Sequence, residues 1–259
     1  MALAVALAVL VIGACAGGFQ IWHIRARNDF PQLWDGFLKS KGPVLICFDA
    51  HDLRPVDTVS SPGSDTFFND ILHKQVISVD DAAVLASMAG LLGRKGITFR
   101  VAGAGETSLA DLRRQPVILI GAVGNKWTTA LTQDLPYRID IAYPLGPNEP
   151  PIASIVGADQ PATGPWRIDF SIPLSAWKTD YAIVARVDDD KTGVPVMIVA
   201  GLGNDGSLAA SELISSDNLI AELKDSHPCS LKSDFEAVIG TEIIDREPGP
   251  PHILRLKCW

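Results

Sequence analysis

The side chains best suited to chemistry follow a short apolar run, Val44-Leu-Ile-Cys-Phe48, and read Asp49-Ala-His51-Asp52. Carboxylates beside an imidazole hold divalent cations or move protons. Asp49, His51 and Asp52 are therefore candidate catalytic residues of a hydrolase or transferase, with Glu106 as a fourth. No second His/Asp cluster at helical spacing answers them, and a polar exit loop after a strand has the same composition. Asp188-Asp-Asp190 reads as a solvated hairpin turn, since the rest of a calcium loop is lacking. His73, His227 and His252 are isolated in the sequence, and there is no CxxC, G-x-S-x-G, H-E-x-x-H or P-loop. No metal site is expected, and no cofactor is specified.

A second pattern is more informative. Three apolar segments end in glycine-rich turns that open a helix: Val101-Ala-Gly-Ala-Gly-Glu-Thr-Ser108, Ile120-Gly-Ala-Val-Gly-Asn125 and Ala200-Gly-Leu-Gly-Asn-Asp-Gly-Ser207. Glycine lets a backbone or ligand approach closely, and a helix start offers unpaired N–H groups at a positive dipole end. The candidate ligand-binding residues are therefore Gly103, Gly105, Thr107, Gly121, Gly124, Asn125, Gly201, Gly203, Asn204 and Ser207. Glu106, Asn125, Lys126 and Asp205 are the polar side chains expected to converge with Asp49. Gly201, Gly203 and Gly206 match the dinucleotide spacing GxGxxG, but their strand follows a hairpin and no acidic residue closes a later strand at the required distance. Tight strand-to-helix turns account for the same glycines.

The elements that carry these residues alternate. Val44–Phe48 and Val117–Ile120 are continuous apolar runs, as in strands buried on both faces. A helix capped by Asp80 or Asp81 runs to Leu92, and a strand follows at Ile97–Ala102. Ser108 and Asp111 form a capping-box pattern for a short helix to Arg114. Trp127–Leu135 reads as helix and Tyr137–Ile141 as strand. The β-α-β-α-β order predicts an α/β fold: a Rossmann-like three-layer domain with a mixed, mostly parallel sheet. Tyr143–Pro165, dominated by proline and glycine, reads as an exposed connection. Trp166–Ile172 alternates, Tyr181–Val187 and Val194–Ala200 form an antiparallel hairpin, and Ser207–Ile214 and Asn218–Leu223 read as helices. Phe235–Ile244 and His252–Leu256 complete the sheet.

From Ala2 to Trp22 the 259-residue chain carries no charged side chain. About twenty such residues, at 1.5 Å rise each, cross a hydrocarbon core of roughly 30 Å. Residues 1–22 are therefore expected to be a single-pass transmembrane anchor in contact with membrane lipid, 23–42 a juxtamembrane connector containing Phe30, Trp34 and Phe37, and 43–259 one soluble domain. Ile12-Gly-Ala-Cys15 also approximates a lipoprotein cleavage box, so a lipoprotein or signal peptide is the alternative. Arg25 and Arg27 favour a cytoplasmic domain through the positive-inside tendency, whereas a Cys229–Cys258 pair would need an oxidising compartment. Cys47 is expected to be a buried thiol. The net charge of −8, without a basic block, excludes an ordinary nucleic-acid surface.

The series Gly90-Leu-Leu-Gly-Arg94, Gly103-Ala-Gly-Glu-Thr-Ser108, Asp111-Leu-Arg, Val117-Ile-Leu-Ile-Gly121, Trp127-Thr, Asp180-Tyr-Ala-Ile-Val184, Ala200-Gly-Leu-Gly203 and Gly249-Pro-Pro251 resembles a group of uncharacterised membrane-anchored α/β proteins of soil bacteria. The likeness spans roughly residues 30–259 and implies one continuous tethered domain. That group has no established activity, so it transfers no site residue.

The expected function is a membrane-tethered small-molecule-binding or sensory domain, with a polar or anionic ligand at the glycine-turn edge. The alternatives are the hydrolase or transferase above, and a protein-interaction scaffold acting through Tyr143–Pro165.

Overall fold

The structure is a computed structural model and describes residues 32–40, 42–49, 51–52, 75–144, 146, 149–226 and 233–259, with side chains at 51–52, 75–76 and 224–226 outside that description. The expected anchor at residues 1–22, Phe30, His73, His227 and Cys229 all lie outside the described residues. Among the described residues, no helix is long and apolar enough to cross a membrane.

An eight-stranded mixed sheet forms the middle of an α/β fold. Strand β1 (Val44–Phe48) lies between β4 (Phe99–Gly103) and β5 (Val117–Ile120), parallel to both, and β5 is parallel to β10 (Val194–Gly201). Two strands on the far side from β5 run against this direction or one another: β9 (Thr179–Asp189) is antiparallel to β10, and β11 (Phe235–Ile244) is antiparallel to β9. Beyond β11 lie β12 (Glu247–Pro248) and β13 (His252–Cys258), both antiparallel to it. The sheet is thus less parallel than the sequence suggests. Antiparallel neighbours need only short turns, whereas parallel ones need a crossover. The chain after β9 supplies tight turns at Asp190–Gly193 and at Asp245-Arg246, the latter with φ of 53° and 72°.

The apolar runs explain the layering. In β1, Val44 and Ile46 face one core while Leu45 and Cys47 face the other, and β5 divides in the same way. On the first face pack α1 (Asp35–Leu38), α2 (Val79–Arg94), α5 (Asn204–Ser215) and α6 (Asp217–Ser226). Trp34 and Phe37 are buried there with ring centroids 5.4 Å apart, so this part of the expected connector belongs to the core. The second face is covered by α3 (Leu109–Leu112), α4 (Lys126–Thr132) and a separate antiparallel sheet of β6 (Tyr137–Ala142), β7 (Ile152–Gly157) and β8 (Arg167–Asp169).

That second sheet corrects the reading of residues 143–165 as an exposed connection. Within them β7 is the central strand, with Ala153, Ser154, Ile155 and Val156 buried. Its flanking prolines mark the ends of a strand and do not run through it. Two helix starts also differ. Ser78, and neither Asp80 nor Asp81, is the N-cap of α2, its hydroxyl accepting the Asp81 N–H at 3.0 Å. Helix α5 begins at Asn204, before the expected Ser207. The capping box of α3 is present with both of its bonds between Ser108 and Asp111.

Candidate functional site

Parallel strands place their C-terminal ends on one edge. The pairings Phe48↔Ile120 and Val199↔Ile120 set Asp49, Gly121 and Gly201 beside one another at the ends of β1, β5 and β10. After β1 the chain supplies α2 on the first face; after β5 it supplies α4 on the second; after β10 it supplies α5 on the first again. Chain paths that part to opposite faces leave a crevice between them. Here it is a cleft of about 660 Å³, and Asp49, Gly121, Ala122, Val123 and the Gly201–Asp205 turn line it.

Asp49 is only 6% exposed and packs against the β5–α4 turn. Its Oδ2 accepts the Gly124 N–H at 3.0 Å. Gly121 has φ of +85°, and a Cβ there would stand 2.8 Å from the Asp49 Cβ; at Gly124 a Cβ would overlap the Asp49 carboxylate. These two glycines admit Asp49 and keep the turn tight.

The GxGxxG turn has a different occupant. Asp180, at the start of β9 and fully buried, directs its carboxylate into the N-terminus of α5. Oδ1 accepts the Gly203 N–H at 3.0 Å and the Tyr181 N–H at 2.7 Å, and Oδ2 accepts the Gly206 N–H at 2.7 Å. A Cβ at Gly203 would come within 2.6 Å of Asp180 Oδ2, and one at Gly206 within 2.5 Å of the Tyr181 carbonyl oxygen. The N–H groups that hold a phosphate in a dinucleotide fold are therefore satisfied by the chain's own carboxylate. Burial lifts the Asp180 carboxyl to about 6, against the pull of its N–H donors.

Of the residues expected at the site, Asp49, Gly121, Gly201, Gly203, Asn204 and Asp205 line the cleft. Gly103, Gly105, Glu106, Thr107, Gly124, Asn125, Lys126 and Ser207 do not. Gly103 ends a strand on the same edge, but β1 and β5 separate it from β10; three strand spacings amount to roughly 14 Å. Asn125 is buried and saturated: its Nδ2 donates to the Cys47 and Ile120 carbonyls, and its Oδ1 accepts the Trp127 and Thr128 N–H groups that open α4. Ser207 accepts the Gly201 N–H at 3.1 Å, and Thr107 donates to the Gly103 carbonyl at 2.9 Å. Each serves a turn. The backbone of His51 and Asp52 forms β2 (His51–Asp52), paired with β3 (Gln75–Val76); their side chains lie outside the described residues. Cys47 is a buried free thiol, and burial pushes it up to about 11.

Three features of the cleft escape sequence reasoning. Phe170, Pro173, Leu174 and Trp177, leading away from β8, form an apolar wall. Phe170 and Trp177 stack edge to face at 5.4 Å, and Trp177 Nε1 donates to the Ile172 carbonyl at 3.2 Å. The same cleft is lined by carboxylates from three elements: Asp80 on α2, Asp205 on α5 and Glu247 on β12. Asn204 joins the two helix starts by donating to Asp80 at 2.9 Å. Partial burial, with Asp80 and Glu247 nearby, holds the Asp205 carboxyl above its ordinary range. Among the described residues, Arg246 is the only basic side chain that lines the cleft. Among the described residues, no group of three or more His, Cys, Asp or Glu is arranged to hold a metal ion.

Comparison of the chain with protein-family models, with curated proteins and with solved structures gives no match.

Proposed function

We propose that this protein is a small-molecule-binding domain, tethered to a membrane by its apolar N-terminal segment, whose polar ligand enters the cleft beside Asp49, Gly121 and Gly203. The observation that carries this reading is the cleft's position. Taken in chain order, the parallel strands lie 2-1-3-4 across the sheet, a Rossmann-like arrangement of flavodoxin type. Folds of this order bind ligands where neighbouring strand ends send the chain to opposite faces. The cleft is also large enough for a small organic molecule.

The anionic half of the sequence expectation loses ground here, because Asp180 fills the α5 start and, among the described lining residues, carboxylates outnumber Arg246. The hydrolase or transferase reading loses ground as well. Asp49 is engaged with the β5–α4 turn, and Glu106 is not a lining residue. For the side of the membrane, Cys258 is disulfide-bonded, which favours an extracytoplasmic domain over the cytoplasmic one that Arg25 and Arg27 suggest.

The test is a thermal-shift panel of amines, amino acids, sugars and nucleotides on the full chain. At least one compound is expected to raise the melting temperature, and Ser175→Trp, at an exposed lining position, is expected to abolish that rise. A panel with no stabilising compound, or stabilisation that survives Ser175→Trp, contradicts the reading.

A further inference from the structure

The lining of the cleft combines two chemistries, and together they define a class of ligand. In the apolar part, Leu174 is 72% exposed beside the Phe170–Trp177 pair, and Trp177 reaches the Gly203 turn that leads into Asp205. Apolar side chains left open on a rigid lip gain most from a flat apolar surface laid over them. In the polar part, Asp205, Asp80 and Glu247 line the same cleft, with Asp80 tied to the α5 start through Asn204, and their mutual repulsion helps raise the Asp205 carboxyl. A cation placed among them relieves that repulsion and gains attraction from each carboxylate. Arg246, exposed on its turn, offsets part of this field, and the described lining residues keep an excess of carboxylates.

The places that attract anions are filled from within the chain. Asp180 occupies the start of α5, and Ser78 with Asp81 closes the start of α2. A bare metal ion fits poorly, because Phe170, Pro173, Leu174 and Trp177 give it no ligands and no group of three His, Cys, Asp or Glu among the described residues is arranged to hold one. We propose that the cleft selects an organic cation with a flat apolar body, its charge against Asp205, Asp80 and Glu247 and its body on Trp177, Phe170 and Leu174. This inference rests on the cleft being a small-molecule site, and it adds the ligand's charge and shape.

Titration calorimetry of the full chain with tryptamine, tryptophol and indole-3-acetate tests it, since the three share one ring and differ in the charge of the tail. Tryptamine is expected to bind about ten-fold more tightly than tryptophol, equal to about 1.4 kcal/mol, and indole-3-acetate more weakly still. Asp205→Asn is expected to bring the tryptamine preference down to about two-fold and to leave tryptophol unchanged. Glu247→Gln, on an exposed turn, is expected to act in the same direction. Equal or tighter binding of either isostere, a preference indifferent to both substitutions, or no binding of tryptamine overturns the inference. An isostere that binds as tightly as tryptamine or more tightly, and loses that binding in Ser175→Trp, overturns the charge assignment and leaves the site standing. The site itself falls only if the wider panel gives no such binding.

Discussion

The Asp180 carboxylate accepts the Gly206 N–H at 2.7 Å, so an internal anion sits where the glycine spacing of α5 suggests an external one. Its partner bonds to Gly203 and Tyr181 make Asp180 the cap that shapes one side of the cleft. Asp180→Asn turns an NH2 group toward at least one of these donors and is expected to cost about 2–4 kcal/mol in urea denaturation at neutral pH. The pH dependence has a definite sign. The folded carboxyl titrates at about 6 against an ordinary 3.8, so the folded state holds the proton more tightly. The stability Asp180 contributes is complete below about pH 4 and is lost as pH rises through about 6. The wild-type advantage over Asp180→Asn is therefore expected to narrow across that window.

A second buried acid predicts an alkaline effect. Glu236 on β11 is fully buried; its Oε2 accepts the Tyr137 N–H at 2.8 Å, and its Oε1 has no hydrogen-bond partner among the described residues. Burial raises its carboxyl from 4.5 to about 8, against the pull of that N–H. Stability is therefore lost as pH rises through about 8, and each tenfold change in proton affinity is worth about 1.4 kcal/mol. Glu236→Gln keeps an acceptor for Tyr137 and cannot ionise. Denaturation curves at mildly acidic and mildly alkaline pH are expected to diverge for the wild type and to stay close for the variant.

Asn125 supports the edge of the site without touching a ligand. Asn125→Ala removes both donors to the Cys47 and Ile120 carbonyls and the cap of α4 together. A loss of about 2–4 kcal/mol is expected from the buried groups left behind. Asn125→Asp is also expected to destabilise, because a carboxylate cannot donate to those carbonyls. Melting curves of both variants check this.

Cys258 is disulfide-bonded at the end of β13, next to the strand that carries Glu236. Reduction, or Cys258→Ser, is expected to lower stability by about 2–4 kcal/mol. Cys47, buried with its thiol held protonated, is expected to resist alkylation in the folded protein. Denaturation curves with and without reductant read the first result, and mass mapping of alkylated thiols reads the second.

The strands that position the cleft were legible because they are short, apolar and bounded by glycine or proline: Val44–Phe48, Val117–Ile120 and the Val194 hairpin strand all form as their composition indicates. The shared edge of Gly103, Gly121 and Gly201 followed from parallel order alone. What the pattern lacked was lateral distance, which removes Gly103, and partner identity, which makes Asn125 the cap of α4 and Ser207 a brace on the Gly201 turn. Asp180 lies 23 residues before Gly203, and only the β9–β10 register, with Ala182 opposite Gly201, brings them together. Strand β7 was missed for a local reason. Its prolines and Gly157 hid a six-residue run, Ile152–Gly157, that is itself apolar enough to be a strand.

The most direct test of the cleft as a binding site is hydrogen exchange of the full chain with and without the best-stabilising compound of the panel. Slower exchange is expected at the Gly121–Gly124 and Gly201–Gly206 turns and around Trp177, with little change at the Tyr137–Gly157 end of the second sheet. Protection that avoids those turns and gathers elsewhere would contradict the account.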